Sequence, residues 1–209
     1  MRYLRAFLAI CLMVVLFYCF FFIIHQQFRV SSGFALTFDD GPSSFTPMIL
    51  DLLKEYNTSL KENNITVVFF VVGERAAEHP QMIKRIHEEG YLIGLHSWDH
   101  HFTLFDSPKK VQEDIDKTVQ VIANITGERP TLYRAPWGVP SPFLPPNLEV
   151  WHWSKDTKDY AHLTAQDVFD ELTKVREGDI VLLHDGGGKT RQHTVDALRM
   201  FLNATFSTS

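Results

Sequence analysis

Ala35-Leu36-Thr37-Phe38-Asp39-Asp40-Gly41-Pro42 is a short apolar run that ends in two adjacent carboxylates and a Gly-Pro breaker. Its brevity, apolar content and sharp stop predict a buried strand. Two ionised aspartates cannot both rest in apolar surroundings without partners. Successive side chains on a strand point to opposite faces, so the two carboxylates suit different tasks, one to hold a cation and one to act as a base. Asp-Gly-Pro is also common turn chemistry, and this stretch alone leaves turn and site open.

Outward from it, apolar runs alternate with helical patterns. Residues 65–72, 91–95, 132–133, 150–153 and 180–183 read as further strands. Residues 47–60, 81–89, 108–125, 165–175 and 194–202 read as helices, with Gly90 and Gly127 as stop signals. Apolar strands alternating with helices predict an α/β domain built on a parallel sheet. A chain of 209 residues suits one domain with a full core. It shows no internal repeat and no low-complexity segment.

The unusual polar residues fall just after the strands: Asp39-Asp40, His96-Ser97-Trp98-Asp99-His100, Arg134, Asp156 and His184-Asp185. Ligands of parallel α/β folds gather beyond the carboxyl ends of the strands, so one edge collects all of this chemistry. His96 and His100 are four apart, which on a helical turn puts both imidazoles on one face. With one aspartate they make a two-histidine, one-carboxylate set, which zinc accepts while keeping an open position. His101 points elsewhere and is left out of that set. Gly186-Gly187-Gly188-Lys189-Thr190 invites a phosphate-loop reading, but Leu183 stands where the first glycine is required, so a flexible loop is expected.

The net charge is -5 with no long block of one sign, which disfavours a nucleic-acid partner. Both cysteines, Cys11 and Cys19, lie near the amino terminus, so the rest of the chain has no disulfide framework or thiolate metal site. Residues 6–24 are uncharged and almost wholly apolar, long enough at helical rise to span about 30 Å of hydrocarbon. Arg2 and Arg5 precede them and predict a cytoplasmic amino terminus, with the remainder lumenal or extracellular. A cleaved signal peptide competes, but His25-Gln26-Gln27-Phe28-Arg29 is a poor cleavage site, and an uncleaved signal anchor is the preferred reading. The expected layout is a tail over 1–5, a transmembrane helix over 6–24, a tether over 25–33 and a catalytic domain over 34–209. Four glycosylation sequons, at Asn57, Asn64, Asn124 and Asn203, lie beyond the anchor.

Thr37-Phe38-Asp39-Asp40-Gly41-Pro42, His96-Ser97-x-x-His100, Arg134-Ala135-Pro136-Trp137-Gly138, Asp156-Thr157-Lys158-Asp159 and Val181-Leu182-Leu183-His184-Asp185 together resemble the five ordered motifs of the polysaccharide deacetylases, the NodB-homology carbohydrate esterases. The resemblance covers roughly residues 34–203. It implies a distorted (β/α) barrel with fewer than eight strands. It also implies that Asp40, His96 and His100 hold a divalent metal, usually Zn²⁺. Asp39 would be the general base, oriented by Arg134, and the backbone amide of Trp137 would help bind the oxyanion. His184 would be the general acid, held and charged by Asp156. Chemistry agrees, since an amide needs an activated water, a polarised carbonyl and a protonated leaving nitrogen.

Two departures stand out. Tyr160 occupies a position where that family often has Trp. The proline-rich stretch 139–148 is too short for the usual helix, and little chain follows the last helix, so an incomplete barrel is expected. Trp137 and Trp153 are expected to line a glycan groove, and Trp151 to pack in the core. The implied activity is removal of N-acetyl groups from a GlcNAc-containing glycan, chitin-like or peptidoglycan-like. An O-acetyl esterase and an inactive glycan-binding homologue are the alternatives, and a complete catalytic set argues against the last.

Overall fold

The structure is a computed structural model that describes residues 30–161 and 164–206. Seven strands, β1 (Ala35–Gly41), β2 (Thr66–Val71), β3 (Leu92–Leu95), β4 (Leu132–Tyr133), β5 (Glu149–Val150), β6 (Lys155–Asp156) and β7 (Ile180–His184), form one sheet. Its order is β5-β4-β3-β2-β1-β7-β6, and every pair is parallel. The helices are α1 (Thr46–Glu55), α2 (Asn57–Glu62), α3 (Gly73–Glu78), α4 (Pro80–Glu88), α5 (Pro108–Thr126), α6 (Ala165–Leu172) and α7 (Gln192–Phe206).

Chain connectivity forces the sheet to curl. In a flat sheet β5 and β6 would stand six strand spacings apart, about 29 Å at ~4.8 Å each. Only residues 151–154 separate them in sequence, and five Cα steps of about 3.8 Å reach about 19 Å. The two edges are therefore drawn together. No ladder joins β5 to β6 among the described residues, so the result is a curled half-barrel with an open seam. This is the incomplete barrel that the short stretch 139–148 predicts.

Alternation along the strands divides the apolar residues between two cores. Ala35, Val68, Phe70, Trp151 and Ile180 fill the concave face, with Leu132 and Trp153 packed against them. Leu36, Phe38, Val67, Phe69, Val71, Val181 and Leu183 face the helices. The same alternation brings Thr37 and Asp39 onto the concave face of β1. Asp39 is in register with His184 of β7, so a candidate base and a candidate acid end adjacent central strands.

Most elements match the sequence expectations. The expected strand over 150–153 is replaced by β5 and the crossover to β6, and β6 and α3 carry too little periodicity to be read. The helix expected over 47–60 breaks at Tyr56 into α1 and α2. Helix α5 starts as its sequence suggests, with Pro108 in its first turn and the Ser107 hydroxyl accepting from the Lys110 amide. It stops at Gly127, whose φ of 81° a side chain would strain. The proposed membrane segment, 6–24, lies outside the described residues, among which no helix is long and apolar enough to cross a membrane.

Candidate functional site

Arg134 lies just past β4, fully buried, and its side chain crosses the concave face. Nη1 donates to Asp39 Oδ1 and Thr37 Oγ1, each at 2.7 Å. Nε donates to the Trp151 carbonyl at 3.3 Å and Nη2 to that of His152 at 3.2 Å. The guanidinium carbon sits 4.2 Å from the centre of the Phe70 ring. One cation thus ties the β5–β6 crossover to β1 and fixes one oxygen of Asp39, leaving the other toward the cleft. Burial lowers the guanidinium pKa against the pull of Asp39, from a value so high that the group stays charged. Removing one partner of a buried pair leaves the other charge uncompensated. Arg134→Met is therefore expected to cost about 3–5 kcal/mol of stability, read as a lowered urea midpoint.

Asp40, at the end of β1, adopts the left-handed conformation with φ 72°, which aspartate tolerates better than most residues. The Arg75 guanidinium donates to its carbonyl and pins this reversal. Asp40 Oδ1 lies 3.0 Å from His100 Nε2 and 3.3 Å from His96 Nε2. The His96 Nδ1 atom sits 2.8 Å from the Arg134 carbonyl, which can only accept, so Nδ1 carries the proton and Nε2 keeps its lone pair. Asp40 Oδ1 is buried and has no hydrogen-bond partner. Lone-pair atoms of Asp40, His96 and His100 converge, an arrangement that fits a divalent cation bound by two imidazoles and a carboxylate. Burial alone would raise the Asp40 pKa, but the two imidazoles outweigh it and hold the carboxyl well below the usual range.

The histidines do not converge by a helical turn. Residues 96–100 form a loop in which Ser97 and His100 both have φ 60°, and the Ser97 hydroxyl accepts from the His100 amide at 2.9 Å. His101 turns away: its imidazole is bridged between Asp99 and Asp106. Burial opposes its charge, yet those two carboxylates raise its pKa. His100→Ala is expected to release the cation and abolish activity, whereas His101→Ala keeps stoichiometric metal by elemental analysis. The reverse pattern would show that the ligands are misassigned.

The glycine loop 186–188 is not a phosphate cradle. It packs on Asp40, and a Cβ on Gly187, where φ is 73°, would lie 1.9 Å from Asp40 Oδ2. Arg191 braces this loop by donating from Nε to the Gly186 carbonyl at 2.7 Å.

His184 corrects one expectation. Its Nδ1 lies 2.7 Å from Asp159 Oδ1, and its backbone amide donates to Asp159 Oδ2 at 2.8 Å. Thr194 Oγ1 donates to the same Oδ2 at 2.9 Å. The partner of His184 is therefore Asp159, not Asp156. Asp156 instead accepts from the Lys158 amide at 2.8 Å and the Tyr160 hydroxyl at 3.1 Å. The cause is a reversal at Lys158, with φ 54°, which folds Asp159 inward and leaves Asp156 at the rim. Burial favours neutral His184, but the Asp159 hydrogen bond and charge, with Asp39 and Asp40 behind them, outweigh it and raise its pKa.

These groups open into one cleft of about 560 Å³ lined by Asp39, Asp40, His96, His100, Trp137, Trp153, Tyr160, His184 and Arg191. Trp137 and Trp153 both reach it, and Trp151 is core, as expected. Tyr160 sets its ring edge-on to His184, with centroids 5.6 Å apart. Sequence reasoning missed Arg75 and Thr194, which carry no motif signal, and gave no role to Thr37, whose hydroxyl links Arg134 to the Val181 carbonyl. It also gave no role to Asp185, buried beside Asp40, where burial foremost, with the neighbouring carboxylates, pushes its pKa up to about 7.

The family model described as polysaccharide deacetylase matches residues 31–144. The chain belongs to the polysaccharide deacetylase family. A peptidoglycan-N-acetylglucosamine deacetylase of Bacillus cereus is 33% identical over 177 residues, covering 80% of this chain and 79% of that protein. The peptidoglycan-N-acetylglucosamine deacetylase PgdA of Listeria monocytogenes is 37% identical over 161 residues, covering 75% of this chain. The chain spans about a third of PgdA's length. Among solved structures, peptidoglycan deacetylase PdaC from Bacillus subtilis superposes with a TM-score of 0.75 at 30% identity over 85% of each chain. A family 4 acetyl xylan esterase from Clostridium thermocellum, in complex with a cobalt ion, gives 0.73 at 32% identity over 83% of each chain.

Proposed function

We propose that this chain is a metal-dependent hydrolase that removes acetyl groups from GlcNAc units of a peptidoglycan-like or chitin-like glycan and releases acetate. The observation that carries this reading is the pairing of Asp39 with Arg134 and of His184 with Asp159, both in one cleft with the Asp40–His96–His100 cluster. A divalent cation, Zn²⁺ by the chemistry of the ligands, would there polarise the acetyl carbonyl and acidify a water. Asp39, oriented by the Arg134 guanidinium at one oxygen, accepts the proton of the attacking water through the other. His184, protonated and oriented by Asp159, donates from Nε2 to the departing nitrogen. Trp137 and Trp153 bracket the sugar, and the Trp137 amide is assigned to the oxyanion.

The names of the bacterial relatives support peptidoglycan as the first substrate to try. The likeness to an acetyl xylan esterase supports O-acetyl esters as a second reading, since the same cation site, base and acid can serve an oxygen as well as a nitrogen leaving group. Acetate release from peptidoglycan, chitin oligomers and acetylated xylan, with the zinc-loaded full chain, tests both. Stoichiometric metal with no acetate from any of them would overturn the reading.

We further propose a type II orientation, anchored by residues 6–24, with the catalytic domain lumenal or extracellular; Arg2 and Arg5 before that apolar run support it. The expected product is membrane-bound with an intact amino terminus. A mature chain starting between residues 25 and 33 would identify a cleaved signal peptide and a secreted enzyme instead.

A further inference from the structure

We infer that Phe102 and Phe105 form a second sugar platform beside the cleft, taking a pyranose ring farther along the glycan than the one whose acetyl group is cleaved. This rests on the proposed glycan substrate and extends it from one sugar to a chain. Phe105 is 85% exposed and Phe102 39%, beside a Trp137 that is 59% exposed. A contiguous aromatic patch of this kind marks a binding surface more often than an idle one.

The patch is continuous with the site. The Trp137 ring lies 4.6 Å from that of the metal-ligand candidate His100, Phe102 lies 5.8 Å from Trp137, and Phe105 lies 5.8 Å from Phe102. Each pair is tilted by about 60°, so the rings form a stepped shelf leading out of the cleft. The segment holding both phenylalanines is fixed at each end. His101 is clamped by Asp99 and Asp106, and Thr103 is buried within the 3₁₀ turn Thr103–Phe105. The Asp106 amide closes that turn onto the Thr103 carbonyl at 3.1 Å. A rigid, preformed shelf binds without ordering losses.

The chemistry of the shelf selects its occupant. One face of a β-linked pyranose presents axial C–H groups, which are apolar and weakly positive. An aromatic face is apolar and carries the negative side of the ring quadrupole. The shelf therefore suits a neutral β-linked glycan whose next units emerge from the cleft past Trp137.

The test compares the full chain with Phe102→Ala/Phe105→Ala and with Phe105→Trp, on β-1,4-linked N-acetylglucosamine oligomers of two to six units. The parent's kcat/KM is expected to rise with length. The double variant should keep the parent's rate on the dimer and lose about tenfold on the hexamer, chiefly in KM, so that its length dependence flattens. Phe105→Trp, which keeps an aromatic face at the outer position, should retain the parent's length dependence. A flat parent profile, or a variant profile parallel to the parent's, would overturn the platform. Hexamer binding by calorimetry in an Asp39→Asn background supplies a readout that needs no turnover. If the parent releases no acetate, the proposed activity fails, and equal hexamer affinity with and without the phenylalanines is then what would refute the platform.

Discussion

Asp39→Asn is expected to lower acetate release by about 10²–10⁴-fold while leaving the metal content unchanged. The side chain keeps its shape, and its carbonyl oxygen can still accept from Arg134, so the geometry of the concave face survives. What it loses is the ability to take a proton from water. Asp40, His96 and His100 are untouched, so elemental analysis should give the parent's stoichiometry. The substitution also leaves the wholly buried Arg134 without its anion, and a buried charge stripped of its partner destabilises. A lower thermal midpoint is therefore expected, and rates should be compared well below it. Activity within a few-fold of the parent at full metal loading would show that Asp39 is not the base.

The strongest sequence signals were those in which one local pattern has one physical outcome. A short apolar run stopped by Asp39-Asp40-Gly41-Pro42 makes a buried strand with carboxylates at its end, and strand alternation then separates Asp39 from Asp40. Alternation does not separate Trp151 from Trp153, since residues two apart on a strand share a face; the coil that follows Val150 lets Trp151 pack in the core while Trp153 reaches the cleft. Chemistry collected at strand ends identifies His96, His100, Arg134 and His184 because a parallel sheet aligns those ends. What stayed hidden depends on backbone reversals. Asp156 and Asp159 are equivalent on paper, and the left-handed turn at Lys158 decides which one reaches His184. The crossover from β5 to β6 is a tertiary event, since four residues of coil mean little until the strand order is known. Arg75 matters because Asp40 takes a left-handed conformation, and nothing in the composition of residues 73–78 announces that.

His184→Ala separates amide from ester chemistry. An amine leaves only when protonated, whereas the leaving group of an activated acetyl ester departs without a proton. The variant is therefore expected to lose about 10²–10⁴ in N-deacetylation and far less on the ester. The pH profile gives a second signature. The folded pKa of His184 is raised, so the imidazole stays protonated to a higher pH than a free one, and activity falls as pH rises through that value. Two contributions from Asp159, its hydrogen bond and its charge, oppose the burial that would otherwise lower it. Asp159→Asn removes the charge and leaves burial, so the alkaline limb should move to lower pH. Asp156→Asn, which changes only a rim contact with Lys158 and Tyr160, should leave that limb in place. The comparison is made with metal content and folding confirmed for each variant. Equal losses on amide and ester in His184→Ala, or an alkaline limb that follows Asp156 rather than Asp159, would remove His184 from the role of leaving-group acid.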